Sequence, residues 1–66
     1  MKRTPQKIIR ILVVDDHPVV RRGLVACLSE RAHFKIVAEA SDGEEAVRKA
    51  NQLQPEIMLV DINMPI

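Results

Sequence analysis

The feature that most constrains this chain is an alternation of short apolar runs with stretches of helical periodicity. Ile8 to Val14 is β-branched and apolar without clean alternation, the pattern of a strand covered on both faces. Phe34 to Ala40, "FKIVAEA", is a weaker run that predicts a strand at a sheet edge. Ile57 to Ile62, "IMLVDI", is again nearly continuous. Between the first two runs, Pro18 to about Glu30 predicts a helix. Proline suits its first turn, and Asp16 or His17 stands where a cap belongs. Val20, Leu24, Cys27 and Leu28 make one stripe along it, with Arg21, Arg22 and Arg31 off the stripe. Between the second and third runs, Ser41 followed by Glu44 fits a capping box. That helix is expected to reach about Leu53 with Ala46, Val47, Ala50 and Leu53 inward, and Pro55 prevents its continuation.

Strand–helix–strand–helix–strand order predicts an α/β fold, a parallel sheet with right-handed crossovers. The 66 residues allow one small domain, preceded by a flexible basic arm over residues 1–7. A chain of this size buries only about 60% of its unfolded surface. With a single cysteine, Cys27, no internal disulfide can compensate. The formal net charge of +1 gives no polyelectrolyte signal for nucleic acid or a membrane surface. Phe34 is the only aromatic of the Phe, Tyr and Trp class, which argues against a base-stacking surface. Neither a signal peptide nor a membrane span is expected, so the expected location is the cytoplasm.

The first strand runs into Asp15 and Asp16, two like charges side by side. Either they cap the next helix, or they hold something positive. Open α/β sheets bind ligands beyond the carboxyl ends of their strands, where strand order reverses. Asp61 ends the third run. If the first and third strands are neighbours, three carboxylates converge there. Crowded carboxylates repel and would share protons, which a divalent cation relieves. An all-oxygen donor set of this kind suits Mg²⁺, which also takes phosphate oxygens. Such a site would accept a phosphoryl group, with one carboxylate as nucleophile.

The segments "ILVVDDHPVVRRGL", "VAEASDGEEAV" and "PEIMLVDINMP" agree in order and spacing with one family. Across residues 8–65 the chain resembles the N-terminal half of a response-regulator receiver domain. The resemblance is greatest to the subfamily whose receiver precedes a helix-turn-helix DNA-binding domain. It implies a partial flavodoxin-like fold, β-α-β-α-β with parallel strands in order 2-1-3, occupying residues 8–66 and stopping before strands four and five. It implies that Asp61 is the phospho-acceptor and that Asp16 ligates Mg²⁺ directly. Asp15 would ligate through a metal-bound water, and Asn63 through its backbone carbonyl. Met64 and Pro65 would shape the adjoining loop.

The family also uses a Ser or Thr after its fourth strand and a Lys after its fifth, and no residue of this chain matches either. The resemblance therefore implies a regulatory segment rather than an enzyme. It would be phosphorylated by a sensor histidine kinase and would control transcription through an output domain beyond this segment, with no nucleic-acid or membrane contact of its own. The alternative is a receiver fragment acting only by binding, self-associating through the unpaired edge of its third strand. A free-standing metal phosphatase of related topology is disfavoured, because it needs a second Asp two residues after the nucleophile. His17 follows Asp15 by two and Pro18 follows Asp16 by two.

The remaining polar residues have simpler readings. His17 is expected to be a helix-entry residue rather than a ligand or base, and His33 a solvated turn residue. Cys27 reads as a small buried hydrophobe. The arginines of the first helix read as an exposed face, which in receivers often meets the kinase.

Overall fold

The computed structural model describes residues 7–61. The first six residues of the basic arm expected over 1–7, the end of the third run at Ile62, and Asn63, Met64 and Pro65 lie outside them. The described elements are β1 (Ile9–Asp15), α1 (Pro18–Ser29), β2 (Phe34–Ala40), α2 (Gly43–Leu53) and β3 (Ile57–Asp61). The three strands form one parallel sheet in the order β2-β1-β3. The strand β1 is central because it is the most apolar. Ile11, Leu12, Val13 and Val14 are all buried.

The crossovers β1–α1–β2 and β2–α2–β3 run in opposite directions across the sheet. Right-handed connections therefore put the two helices on opposite faces. On the α2 face, Leu12, Val14, Ala40 and Ala46 form the core, with Ala38 and Ala50 packed against it. Small residues on β2 and α2 let helix and sheet approach closely around one large side chain, Leu12. The β1–β2 register shifts between Ile11 and Leu12, so that Val37 is passed over in the pairing. This bulge keeps Ala38 and Ala40 beside Leu12 and Val14.

Several expectations require correction. On α1 the covered line is Arg21, Leu24, Val25 and Leu28, while Val20 and Cys27 are exposed. The covered line is shifted from the expected stripe and takes in Arg21, which bonds polar partners on β1 and β2. Arg21 lies only 19% exposed beside Glu39. It is therefore not part of an exposed basic face. On α2, Val47 faces solvent while Ala46 is buried and Ala50 and Leu53 are half-buried. The α2 N-cap is Asp42, one residue later than expected. Its side chain accepts from the Glu45 amide at 2.8 Å, and Glu45 Oε1 accepts from the Ser41 amide at 2.7 Å. The expected box on Ser41 and Glu44 is therefore replaced by an Asp42 cap, with Glu45 reaching back one residue past the cap to the Ser41 amide.

The third strand is edge-paired to β1, and its apolar side chains are not covered. Ile57, Met58, Leu59 and Val60 are 38–55% exposed. The helices α1 and α2 both pack on β1 and β2. Arg10 of β1 holds the entry to β3. Its guanidinium donates to the Gln54 carbonyl at 3.0 Å, and its own carbonyl accepts from the Glu56 amide at 2.9 Å. Gln54 caps α2 in the left-handed conformation, φ 48°, before Pro55 turns the chain into β3.

Candidate functional site at the carboxyl end of the sheet

The site follows from where β1 stops. Asp15 is its last residue, and Asp61 is the register partner of Asp15 on β3. Parallel register puts both carboxylates at the carboxyl end of the sheet. The strand order reverses between β1's two neighbours there, so this is a switch point of the doubly wound kind.

The side chain of Asp15 is fully buried. Its Oδ1 accepts from the His17 amide at 2.8 Å, turning the chain from the strand into α1. Its Oδ2 is buried with no hydrogen-bond partner. An unsatisfied buried carboxylate oxygen is costly and asks for a cation or donor. Asp16, the next residue, is more open. Its Oδ1 lies 2.9 Å from His17 Nδ1, and Asp15 Oδ1 lies 3.6 Å from the same nitrogen. Donor atoms of Asp15, Asp16 and His17 all fall within 4.8 Å of one another. Asp61 stands opposite in register but is not part of that tight group. The orphaned oxygen and this donor set fit a divalent cation.

The cap of α1 bears on the two readings left open by the sequence. The N-cap is His17, and it makes no side-chain cap hydrogen bond. Asp16 therefore does not cap the helix. Asp15 contributes to helix entry through the His17 amide, using one oxygen and leaving the other free.

Arg21 closes the site from behind. Its Nη1 donates to the Asp15 carbonyl at 2.8 Å and its Nε to Glu39 Oε1 at 3.1 Å. One side chain thus ties α1 to the ends of both β1 and β2. Lys49 on α2 donates to the Glu39 carbonyl at 2.6 Å and pairs with Glu45 at 3.6 Å. The carboxyl of Glu45 is held below its ordinary value of 4.5 chiefly by the Ser41 amide. Partial burial opposes this, and the positive charge of Lys49 adds to it. The half-buried position of Arg21 was missed in the sequence. Its place three residues before Leu24 and four before Val25, on the covered line, is the signal that would have found it.

A parallel sheet in 2-1-3 order with a buried acidic residue at the end of its central strand is a flavodoxin-like arrangement. Over residues 11–66 the chain matches the response regulator receiver domain model. The chain belongs to that family, whose members are regulatory domains of two-component systems, interact with histidine kinases and typically use Mg²⁺. It is 44% identical over 57 residues to the response regulator GacA of Pseudomonas viridiflava, covering 86% of this chain and 27% of that protein. It is 46% identical over 56 residues to the transcriptional regulatory protein LiaR of Bacillus subtilis, covering 85% of this chain and 26% of that protein. The signal receiver domain of the response regulator NarL from Mycobacterium tuberculosis superposes with a TM-score of 0.83 at 37% identity. That match covers 91% of this chain and 48% of the other. The chain thus spans about a quarter of the length of the curated relatives it matches. None of the helices among the described residues is long and apolar enough to cross a membrane.

Proposed function

We propose that this chain is the receiver segment of a two-component transcription regulator, in which Asp61 accepts a phosphoryl group from a sensor histidine kinase. A carboxylate oxygen of Asp61 attacks the phosphorus, the phosphorus–nitrogen bond to the donor imidazole breaks, and the imidazole leaves with the bonding pair. Asp15, Asp16, Asp61 and the backbone carbonyl of Asn63 would hold Mg²⁺, with Asp15 working through a bound water. Bound Mg²⁺ supplies positive charge to the transferring oxygens. Arg21, by holding the Asp15 carbonyl, keeps the acidic strand end in place. The full-length protein would act on DNA through a helix-turn-helix output domain. The observation that carries the reading is the register pairing of Asp15 with Asp61 beside an unsatisfied Asp15 oxygen.

The test is incubation of the chain, and of a full-length protein carrying it, with Mg²⁺ and a small acyl-phosphate donor. A covalent phospho-adduct that disappears in Asp61→Asn is expected. No adduct in the full-length protein overturns the reading.

A second reading, a module acting only by binding, is favoured by one observation. The apolar residues of the edge strand β3 are open. Strand addition from a second copy would cover them. Sedimentation that shows a folded monomer at all concentrations overturns it.

A further inference from the structure

His17 is the residue at this site that neither the expected Mg²⁺ ligands nor the helix cap accounts for. As N-cap it makes no capping bond through its side chain. Its imidazole is 60% exposed, yet Nδ1 turns back to the carboxylates, 2.9 Å from Asp16 Oδ1 and 3.6 Å from Asp15 Oδ1. Neighbouring donors around a small divalent cation at about 2.1 Å stand about 3 Å apart. The His17 Nδ1 and Asp16 Oδ1 atoms, 2.9 Å apart, already have the spacing of two neighbouring ligands of one ion. The fully buried Asp15 Oδ2 has no hydrogen-bond partner, which favours a cation at this strand end.

We propose that His17 ligates the metal through Nδ1, converting an all-oxygen Mg²⁺ site into a mixed carboxylate–imidazole site. The inference rests on the reading that Asp15 and Asp16 hold a cation. Its backbone bond to Asp15 Oδ1 fixes the start of the His17 side chain relative to that carboxylate, so little ordering is needed on binding. Imidazole is a better donor to Mn²⁺, Ni²⁺ and Zn²⁺ than to Mg²⁺, and affinity rises toward the later metals. The site is thus selective for first-row transition cations over Mg²⁺. The ligating tautomer carries its proton on Nε2, which the exposed side of the ring leaves to water.

The experiment uses Mn²⁺ as probe on the 66-residue chain, prepared with natural-abundance nitrogen and with ¹⁵N in its histidines only. Pulsed electron paramagnetic resonance reads nitrogen coupled to the bound ion. Histidine labelling alters no contact, so folding is the same in both samples. Expected is a nitrogen modulation that changes with the label and is absent in His17→Ala, where His33 is the remaining histidine. That variant should weaken Ni²⁺ binding by about tenfold or more, the scale on which even outer ligand partners act, and weaken Mg²⁺ binding by a clearly smaller factor. Bound Mn²⁺ with no label-dependent modulation overturns the role of His17 while the acidic cation site stands. No bound Mn²⁺ in either sample overturns the cation site, and the inference with it.

Discussion

Asp15 and Asp61 are register partners across the β1–β3 ladder, yet their environments differ. Asp15 is fully buried and Asp61 is exposed. The asymmetry comes from the sheet. The central strand is covered by both helices, while the edge strand is open.

The unsatisfied oxygen of Asp15 makes a stability prediction. In metal-free buffer, Asp15→Asn removes the charge of a buried carboxylate whose Oδ2 has no partner, while keeping an oxygen to accept from the His17 amide. The variant is expected to be more stable by about 1 kcal/mol or more, a rise in midpoint of roughly 4–8 °C for a small domain. Adding Mg²⁺ should stabilise the parent chain and not the variant. Thermal melts with and without metal check both halves. A variant less stable than its parent without metal would contradict the assignment.

Leu12 is the large side chain at the centre of the α2-face core, fully buried among Val14, Ala40 and Ala46. Its neighbours are small and cannot collapse far into a cavity. Leu12→Ala should cost about 2–5 kcal/mol, comparable with the whole stability of a small domain. Loss of the far-UV helical signal at room temperature is expected. Val47→Ala, on the exposed side of α2, should be near neutral by the same measurement.

Arg21 donates two hydrogen bonds, one to the Asp15 carbonyl and one to the Glu39 side chain, and Glu39 takes part in only the second. Arg21→Ala should therefore destabilise more than Glu39→Ala, because the second variant keeps the bond to the Asp15 carbonyl. A charged hydrogen bond to a carbonyl is worth about 1.5–3 kcal/mol, and a partly exposed pair about 1 kcal/mol or less. Urea denaturation of both variants gives the order. Equal losses would mean that the Asp15 contact contributes nothing.

Glu45 titrates below its ordinary value of 4.5, mainly because the Ser41 amide donates to its carboxylate. A group with a lowered folded-state pKa stabilises above its unfolded value. That stability is lost as pH falls through the folded value. The parent chain should thus be more stable than Glu45→Gln above about pH 5. The gap should close on acidification below 4.5. Denaturation series across that window test the sign, and a gap that widens in acid refutes it.

Much of this was legible in the sequence because its signals are local. The five elements follow from apolar runs and helical spacing, and the 2-1-3 order followed from the family resemblance. The acidic strand ends were readable as neighbours once that order was assumed. Rotation of the helices was not legible. Val20 and Cys27 of α1 and Val47 of α2 satisfy helical periodicity as well as the residues that are covered. Apolar stripes are wider than the strip that two strands can cover. Ser41 and Asp42 were both plausible caps, and the choice depended on which one Glu45 could reach back past.

The sequence by itself determined the strands, the helices and a strand end rich in carboxylate, since period, proline positions and charge are written residue by residue. Only the tertiary structure decided which charges are buried and which side chains share a site. Burying Asp15 required the cover of two helices on the central strand. Drawing Arg21 inward required the Asp15 carbonyl and Glu39, 6 and 18 residues away, to meet it. Setting His17, the helix-entry residue, beside two carboxylates required the Asp15 turn at the end of β1. These are distances between groups brought together by packing, and no local pattern encodes them.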